Sequence, residues 1–143
     1  MLKEAKLEQK LRQYLLQKGW VLKNTPRKSG EHGWDIVTKF HKINRKALFI
    51  ECKGDGSSKH NTQKIHSSFW TSIGQVMSRM DIQGNAQNKG RIYAIAIPLE
   101  WETVFRKKAQ KMKYAWNFLR LKIFLVSSSG VVQEKTHTQF IKK

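Results

Sequence analysis

Two segments decide how this chain folds: Trp34-Asp35-Ile36-Val37-Thr38-Lys39-Phe40 and Lys46-Ala47-Leu48-Phe49-Ile50-Glu51-Cys52-Lys53. The first is rich in β-branched and aromatic residues, and the second carries the apolar run Leu48-Phe49-Ile50. The segment between them contains Asn44, so the pair reads as a β-hairpin that turns near Asn44. Side chains two apart on a strand share a face. Glu51 and Lys53 therefore project together, while Cys52 turns to the other side and into the core. Hairpin pairing can bring Asp35 beside Glu51.

On the N-terminal side, Leu7, Leu11, Tyr14 and Leu15 recur at helical spacing, and Gly19 suits the C-cap of a helix over about residues 2–18. Trp20-Val21-Leu22 reads as a short strand, and Thr25 to Gly30 as a basic loop. On the C-terminal side, residues 54–64 are polar. Phe69, Ile73, Val76, Met77 and Met80 then form a second helical stripe. Arg91 to Pro98 is apolar on both faces, as expected at the centre of a sheet. Trp101, Val104, Phe105, Ala109, Met112, Trp116 and Leu119 mark a third helix. Leu121 to Val126, a turn at 127–130 and Val131-Val132 suggest a closing β-hairpin. No repeat, heptad or linker divides the chain. One α/β domain over residues 1–143 is expected.

The charge is as informative as the pattern. The 143 residues carry 28 Lys and Arg against 10 Asp and Glu, a formal +18. The excess lies at both ends and is not confined to a tail: residues 1–53 hold 13 basic and 5 acidic residues, and 101–143 hold 10 and 2. A polyanion is the usual partner of such a surface, and RNA, DNA and anionic membranes all fit charge alone. With 39% hydrophobic residues the chain is too apolar to be disordered. It has no run of about 18 apolar residues to span a membrane. No secretory signal is visible at the start, and the single Cys52 excludes an internal disulfide and a multi-cysteine zinc site. A reducing cytoplasm is the expected location.

Acidic residues are scarce, so their positions matter. Asp35, Glu51 and the Cys52 backbone carbonyl are hard oxygen donors of the kind Mg²⁺ accepts, with water completing the shell. Mn²⁺ is expected to substitute. Lys53, a compact charge, can orient an attacking water or neutralise charge building on a phosphate. Those parts suffice to hydrolyse a phosphodiester. Glu and Lys at i,i+2 are also what a solvated strand face offers. The apolar Leu48-Phe49-Ile50 run into the acid, the upstream helical Glu8 and the downstream helical Gln75 favour the chemical reading. The histidines form no site: His60 and His66 lack i,i+4 spacing. There is no P-loop and no dinucleotide fingerprint.

This arrangement resembles the PD-(D/E)XK phosphodiesterase superfamily, the restriction-endonuclease-like fold. Its first half is similar to archaeal-type Holliday-junction resolvases. The resemblance runs through Glu8, Gly19-Trp20, Val21-Leu22, Ser29-Gly30, Trp34-Asp35-Ile36 and Ile50-Glu51-Cys52-Lys53, over roughly residues 4–97. Trp34 stands where the superfamily often has proline, and the segment from 101 onward has no assigned counterpart. The resemblance implies an αβββαβ core with a mixed sheet, extended here by a C-terminal helix and β-hairpin. It implies that Asp35 and Glu51 ligate the metal and that Lys53 serves the water. Glu8 would complete the site, with Glu4 one turn away as the competing choice, and Gln75 would position Lys53 or the phosphate. Ser29 resembles the loop serine that approaches DNA. Duplex cutting by such folds implies a homodimer, since each site cuts one strand.

The remaining cations frame the expected DNA surface. Arg106, Lys107 and Lys111 fall away from the apolar stripe of the third helix. Arg27, Lys28, Lys59, His60, Lys64 and Arg79 would flank the site. Such contacts steepen salt dependence and carry no base specificity. The sequence thus predicts a metal-dependent DNA endonuclease. Its rivals are a non-catalytic nucleic-acid-binding module and a nuclease subunit targeted by a partner protein.

Overall fold

The structure is a computed structural model that describes residues 2–26, 33–55, 62–80 and 90–142. In chain order it contains α1 (Glu4–Gln17), β1 (Ile36–Val37), β2 (Ala47–Cys52), α2 (Thr62–Arg79) and β3 (Arg91–Pro98). A 3₁₀ turn (Leu99–Trp101) then leads into α3 (Glu102–Lys111), α4 (Lys113–Leu119), β4 (Lys122–Val126), β5 (Val132–Lys135) and α5 (His137–Ile141).

The five strands form one mixed sheet in the order β1-β2-β3-β4-β5. The central pairs β2/β3 and β3/β4 are parallel, and the outer pairs β1/β2 and β4/β5 are antiparallel. Both parallel connections step in the same direction across the sheet. Crossovers of one hand therefore place α2, α3 and α4 on one face, which leaves the opposite face to α1. The expected α/β core with a mixed sheet and added C-terminal elements is present.

Each face has its own core. Under α1, Leu7, Leu11 and Leu15 pack on Ile36, Leu48, Ile50, Cys52, Ala94, Ala96 and Phe124. The alanines of β3 let the helix approach the sheet centre. On the other face, Tyr93, Ile95 and Ile97 of β3 and Ile123 and Leu125 of β4 meet Phe69, Phe105, Trp116 and Phe140. Alternation along β3 thus feeds both layers, as its unbroken apolar run implied.

The helix boundaries follow local chemistry. α1 ends in a Schellman motif: the Trp20 amide donates to the Leu15 carbonyl at 3.0 Å, and the Gly19 amide to Leu16 at 3.1 Å. Gly19 takes φ +89°, as the C-cap reading requires.

Three expectations need correction, and one further element is present. Trp20-Val21-Leu22 forms only an isolated bridge, Leu22 to Thr38, because the Asn24 side chain takes the next amide of the ladder. The third helix is two helices, broken at Met112, whose φ −115° and ψ 38° lie outside the helical region. The break is accompanied by an inward Trp116, whose indole N–H donates to the His137 carbonyl at 2.9 Å. Met77 is exposed and does not belong to the buried stripe of α2. A last short helix, α5, is closed by a capping box between Thr136 and Gln139.

Candidate functional site

The hairpin pairs Ile36 with Ile50 and Val37 with Phe49, so Asp35 lies level with Glu51 one step beyond the ladder. Its turn is held by the His41 amide on the Lys46 carbonyl at 2.8 Å and by the Lys46 amide on Asn44 Oδ1 at 3.0 Å. Asp35 extends the pairing in two ways. Its amide donates to the Ile50 carbonyl at 3.1 Å, and its Oδ2 accepts the Cys52 amide at 2.8 Å. The carboxylate is thereby fixed at the end of β2.

Glu51 points to the α2 face and is only 3% exposed. Its Oε1 lies 2.6 Å from Arg79 Nη1, and its Oε2 lies 3.6 Å from Lys53 Nζ. The shared side of Glu51 and Lys53 was legible from period two. Arg79, expected on the DNA surface, is a partner of Glu51.

α1 supplies the other wall. Glu8 Oε2 accepts from Arg12 Nε at 2.9 Å. The same guanidinium donates to the Asn24 carbonyl and the Asp35 carbonyl, each at 2.7 Å. Asn24 adds Nδ2 to the Asp35 carbonyl at 3.1 Å and accepts the Val37 amide at 2.9 Å. Buried Arg12 therefore links Glu8 to the Asp35 backbone, and the sequence reading missed it. A groove of about 550 Å³ opens beside Glu8 and Arg12 and is also lined by Lys23 and Asn24.

Glu4 reaches the same region. Partial burial raises its carboxyl above the ordinary value, and the charges of Asp35 and Glu8 add to this; Lys53 and the Gly54 amide act the other way. Burial also pushes the Cys52 thiol well up, reinforced by the fields of Asp35, Glu8, Glu51 and Glu4. Cys52 is thus a neutral core thiol.

The other expected residues separate into groups. Gln75 lies one turn before Arg79 on α2, and its Oε1 is buried with no hydrogen-bond partner. Lys64 lies 3.7 Å from Asp55, and Arg106 lies 3.6 Å from Glu102. Lys107 and Lys111 line a second groove, between α2 and α3. Arg27, Lys28, Ser29, Lys59 and His60 lie outside the described residues.

Among the described residues, no group of three or more His, Cys, Asp or Glu side chains is gathered closely enough to hold a metal ion. The donor chemistry nevertheless fits Mg²⁺, which is commonly held by one or two carboxylates and retains several waters. The orphaned Gln75 oxygen offers a further buried acceptor. Also among the described residues, no helix is long and apolar enough to cross a membrane.

No protein-family model matches the chain, and no curated protein matches it in sequence. Two solved structures do match its fold. One is an XisH family protein from Nostoc punctiforme PCC 73102, with a TM-score of 0.54 and 19% identity, covering 91% of this chain and 97% of that one. The other is an fdxN element excision controlling factor protein from Anabaena variabilis, with a TM-score of 0.52 and 15% identity, covering 91% and 96%. The likeness is one of fold.

Proposed function

We propose that this protein is a divalent-metal-dependent DNA endonuclease of the PD-(D/E)XK type, a single catalytic domain working in the cytoplasm. One observation carries the reading: in a strongly basic chain, Asp35 is held by the Cys52 amide at the end of β2, and Glu51, one residue before Cys52, is buried and met by Lys53 and Arg79. A polyanion-binding surface has no evident use for such a concentration of negative charge unless a cation is to be held there.

Asp35 and Glu51 would hold Mg²⁺, or Mn²⁺ in its place, with the Cys52 carbonyl as a further ligand and Glu8 or Glu4 beyond them. When bound, that ion supplies charge neutralisation at the phosphate and lowers the pKa of coordinated water. Lys53 orients the attacking water and offsets negative charge developing on the phosphoryl oxygens. Gln75 presents its buried oxygen to Lys53 or to a water beside it. Arg79 holds the Glu51 carboxylate in place, and Arg12 fixes the Asp35 backbone and Glu8. The surrounding Lys and Arg bind the DNA backbone, and a homodimer cuts both strands. The name of one structural neighbour describes that protein as an fdxN element excision controlling factor.

A second reading has its own support. Glu51 is engaged by both Arg79 and Lys53, an arrangement that a non-catalytic nucleic-acid-binding module, or a subunit targeted by a partner, could keep for stability alone. The readings separate when purified protein is incubated with linear duplex, branched and single-stranded DNA in Mg²⁺, in Mn²⁺ and in EDTA. The endonuclease cuts at least one substrate only with metal. Binding to all three without scission in either metal leaves the second reading.

A further inference from the structure

Away from the carboxylates, α2 and α3 pack through Phe69 and Phe105, whose ring centroids are 5.1 Å apart. Between the two helices lies a groove of about 570 Å³ lined by His66, Val104, Lys107, Lys108 and Lys111. Among the described residues no carboxylate lines it, so the formal charges of its lining are all lysine ammonium groups.

An exposed aromatic ring adjoins these cations. His66 and Trp70 are four residues apart on α2, and Met77 falls on the same stripe eleven residues after His66. Trp101 and Trp116 are fully buried, but Trp70 is 54% exposed and Met77 is 53% exposed. Lys108 Nζ lies 5.3 Å from the centroid of the Trp70 ring, which joins the lysine row to the aromatic surface. A half-exposed indole beside a row of lysines is the combination that binds single strands: cations follow the phosphates and a flat ring stacks a base. A duplex keeps its bases stacked inside and would meet only the lysines.

We propose that the α2–α3 groove binds an unpaired DNA strand, with Lys107, Lys108 and Lys111 on its phosphates and a base stacked on Trp70. The choice of DNA as the polyanion rests on the function proposed above. The groove would hold a single-stranded segment of the substrate while the carboxylate site acts elsewhere on it.

The test is binding by the full chain in EDTA, so that cleavage plays no part and the groove can fail without touching the nuclease reading, which is judged separately by scission in Mg²⁺. A labelled dT oligomer and a duplex of equal length are titrated at fixed salt, with polyglutamate as competitor. Trp70→Ala should weaken oligomer binding by about 5-fold or more, the lower end for one stacked base, and change duplex binding by less than about 2-fold. Trp70→Phe should restore most of the oligomer affinity. The oligomer should quench a part of the tryptophan emission that is absent in Trp70→Phe, a readout that stands even if the alanine variant folds poorly. Joint charge reversal of Lys107, Lys108 and Lys111 should weaken both ligands and flatten the salt dependence. Equal effects of Trp70→Ala on oligomer and duplex, or an unchanged quench in Trp70→Phe, would overturn the proposal. So would competition by polyglutamate as strong as that by the oligomer.

Discussion

Arg12 reaches across 23 positions of the chain to Asp35, donating from Nη2 to its carbonyl at 2.7 Å while Nε holds Glu8 at 2.9 Å. One buried guanidinium thus sets the position of α1 relative to the strand that carries the first carboxylate of the candidate site.

Removal of that link has a defined cost. Arg12→Ala leaves Glu8 without its partner and the Asp35 and Asn24 carbonyls short of a donor. It should lose about 3 kcal/mol, the lower end for breaking a buried pair. Arg12→Lys keeps the charge but loses the planar fork that serves three acceptors, and should recover only part of this. Urea unfolding of the three proteins measures both effects; an alanine variant as stable as wild type would show that Arg12 is not the tie.

Two glycines make an opposed pair. A Cβ on Gly54 would lie 2.6 Å from the Glu4 amide nitrogen and 2.7 Å from its Cα, so Gly54→Ala must push the start of α1 away from the end of β2. Overpacking of this kind costs about 1–3 kcal/mol. A Cβ on Gly74, inside α2, would meet nothing within 4 Å. Gly74→Ala should therefore stabilise the protein by about 0.5–1 kcal/mol through helix propensity. Thermal melts of the two variants should move in opposite directions.

The pH response follows from Glu134. Burial would raise its carboxyl, but hydrogen bonds from Lys122 and Tyr14 outweigh burial and bring it below its ordinary value of 4.5. Lys122 Nζ lies 2.5 Å from Glu134 Oε1. A carboxyl lowered by folding contributes stability that is present above 4.5 and is lost as pH falls through the folded value. Glu134→Gln should be less stable than wild type at neutral pH by about 1 kcal/mol or less, since solvent screens the pair. The gap should close in acid. A gap that persists below the folded value would assign the loss to packing.

Much of this architecture can be read from the residues, and the failures have physical causes. The hairpin carrying Asp35, Glu51 and Lys53, the doubly apolar β3 and the Gly19 cap are local patterns, and each holds. Arg12 is hidden because Glu8 and Arg12 at i,i+4 look like an ordinary solvated helical pair. Only the return of Asn24 and Asp35 beneath the helix buries the guanidinium. Asn24 likewise shortens the first strand by bonding through its side chain. Met77 continues the apolar spacing of α2 but falls past the edge of the packed face and is 53% exposed. The break at Met112 leaves no signal, because Met112, Trp116 and Leu119 keep helical spacing on both sides of it.

The central claim is that Glu51 and Lys53 act in phosphodiester hydrolysis, and two substitutions test it most directly. Glu51→Gln preserves size and removes the charge that would hold the metal. Lys53→Ala removes the cation beside the attacking water and leaves both carboxylates. Strand scission in Mg²⁺ is measured for wild type and both variants, alongside melting temperature and DNA affinity. Each variant should cut about two orders of magnitude more slowly or worse, the scale for losing one preorganised electrostatic group, while still folding and still binding DNA. Scission by folded Glu51→Gln at the wild-type rate would contradict the account.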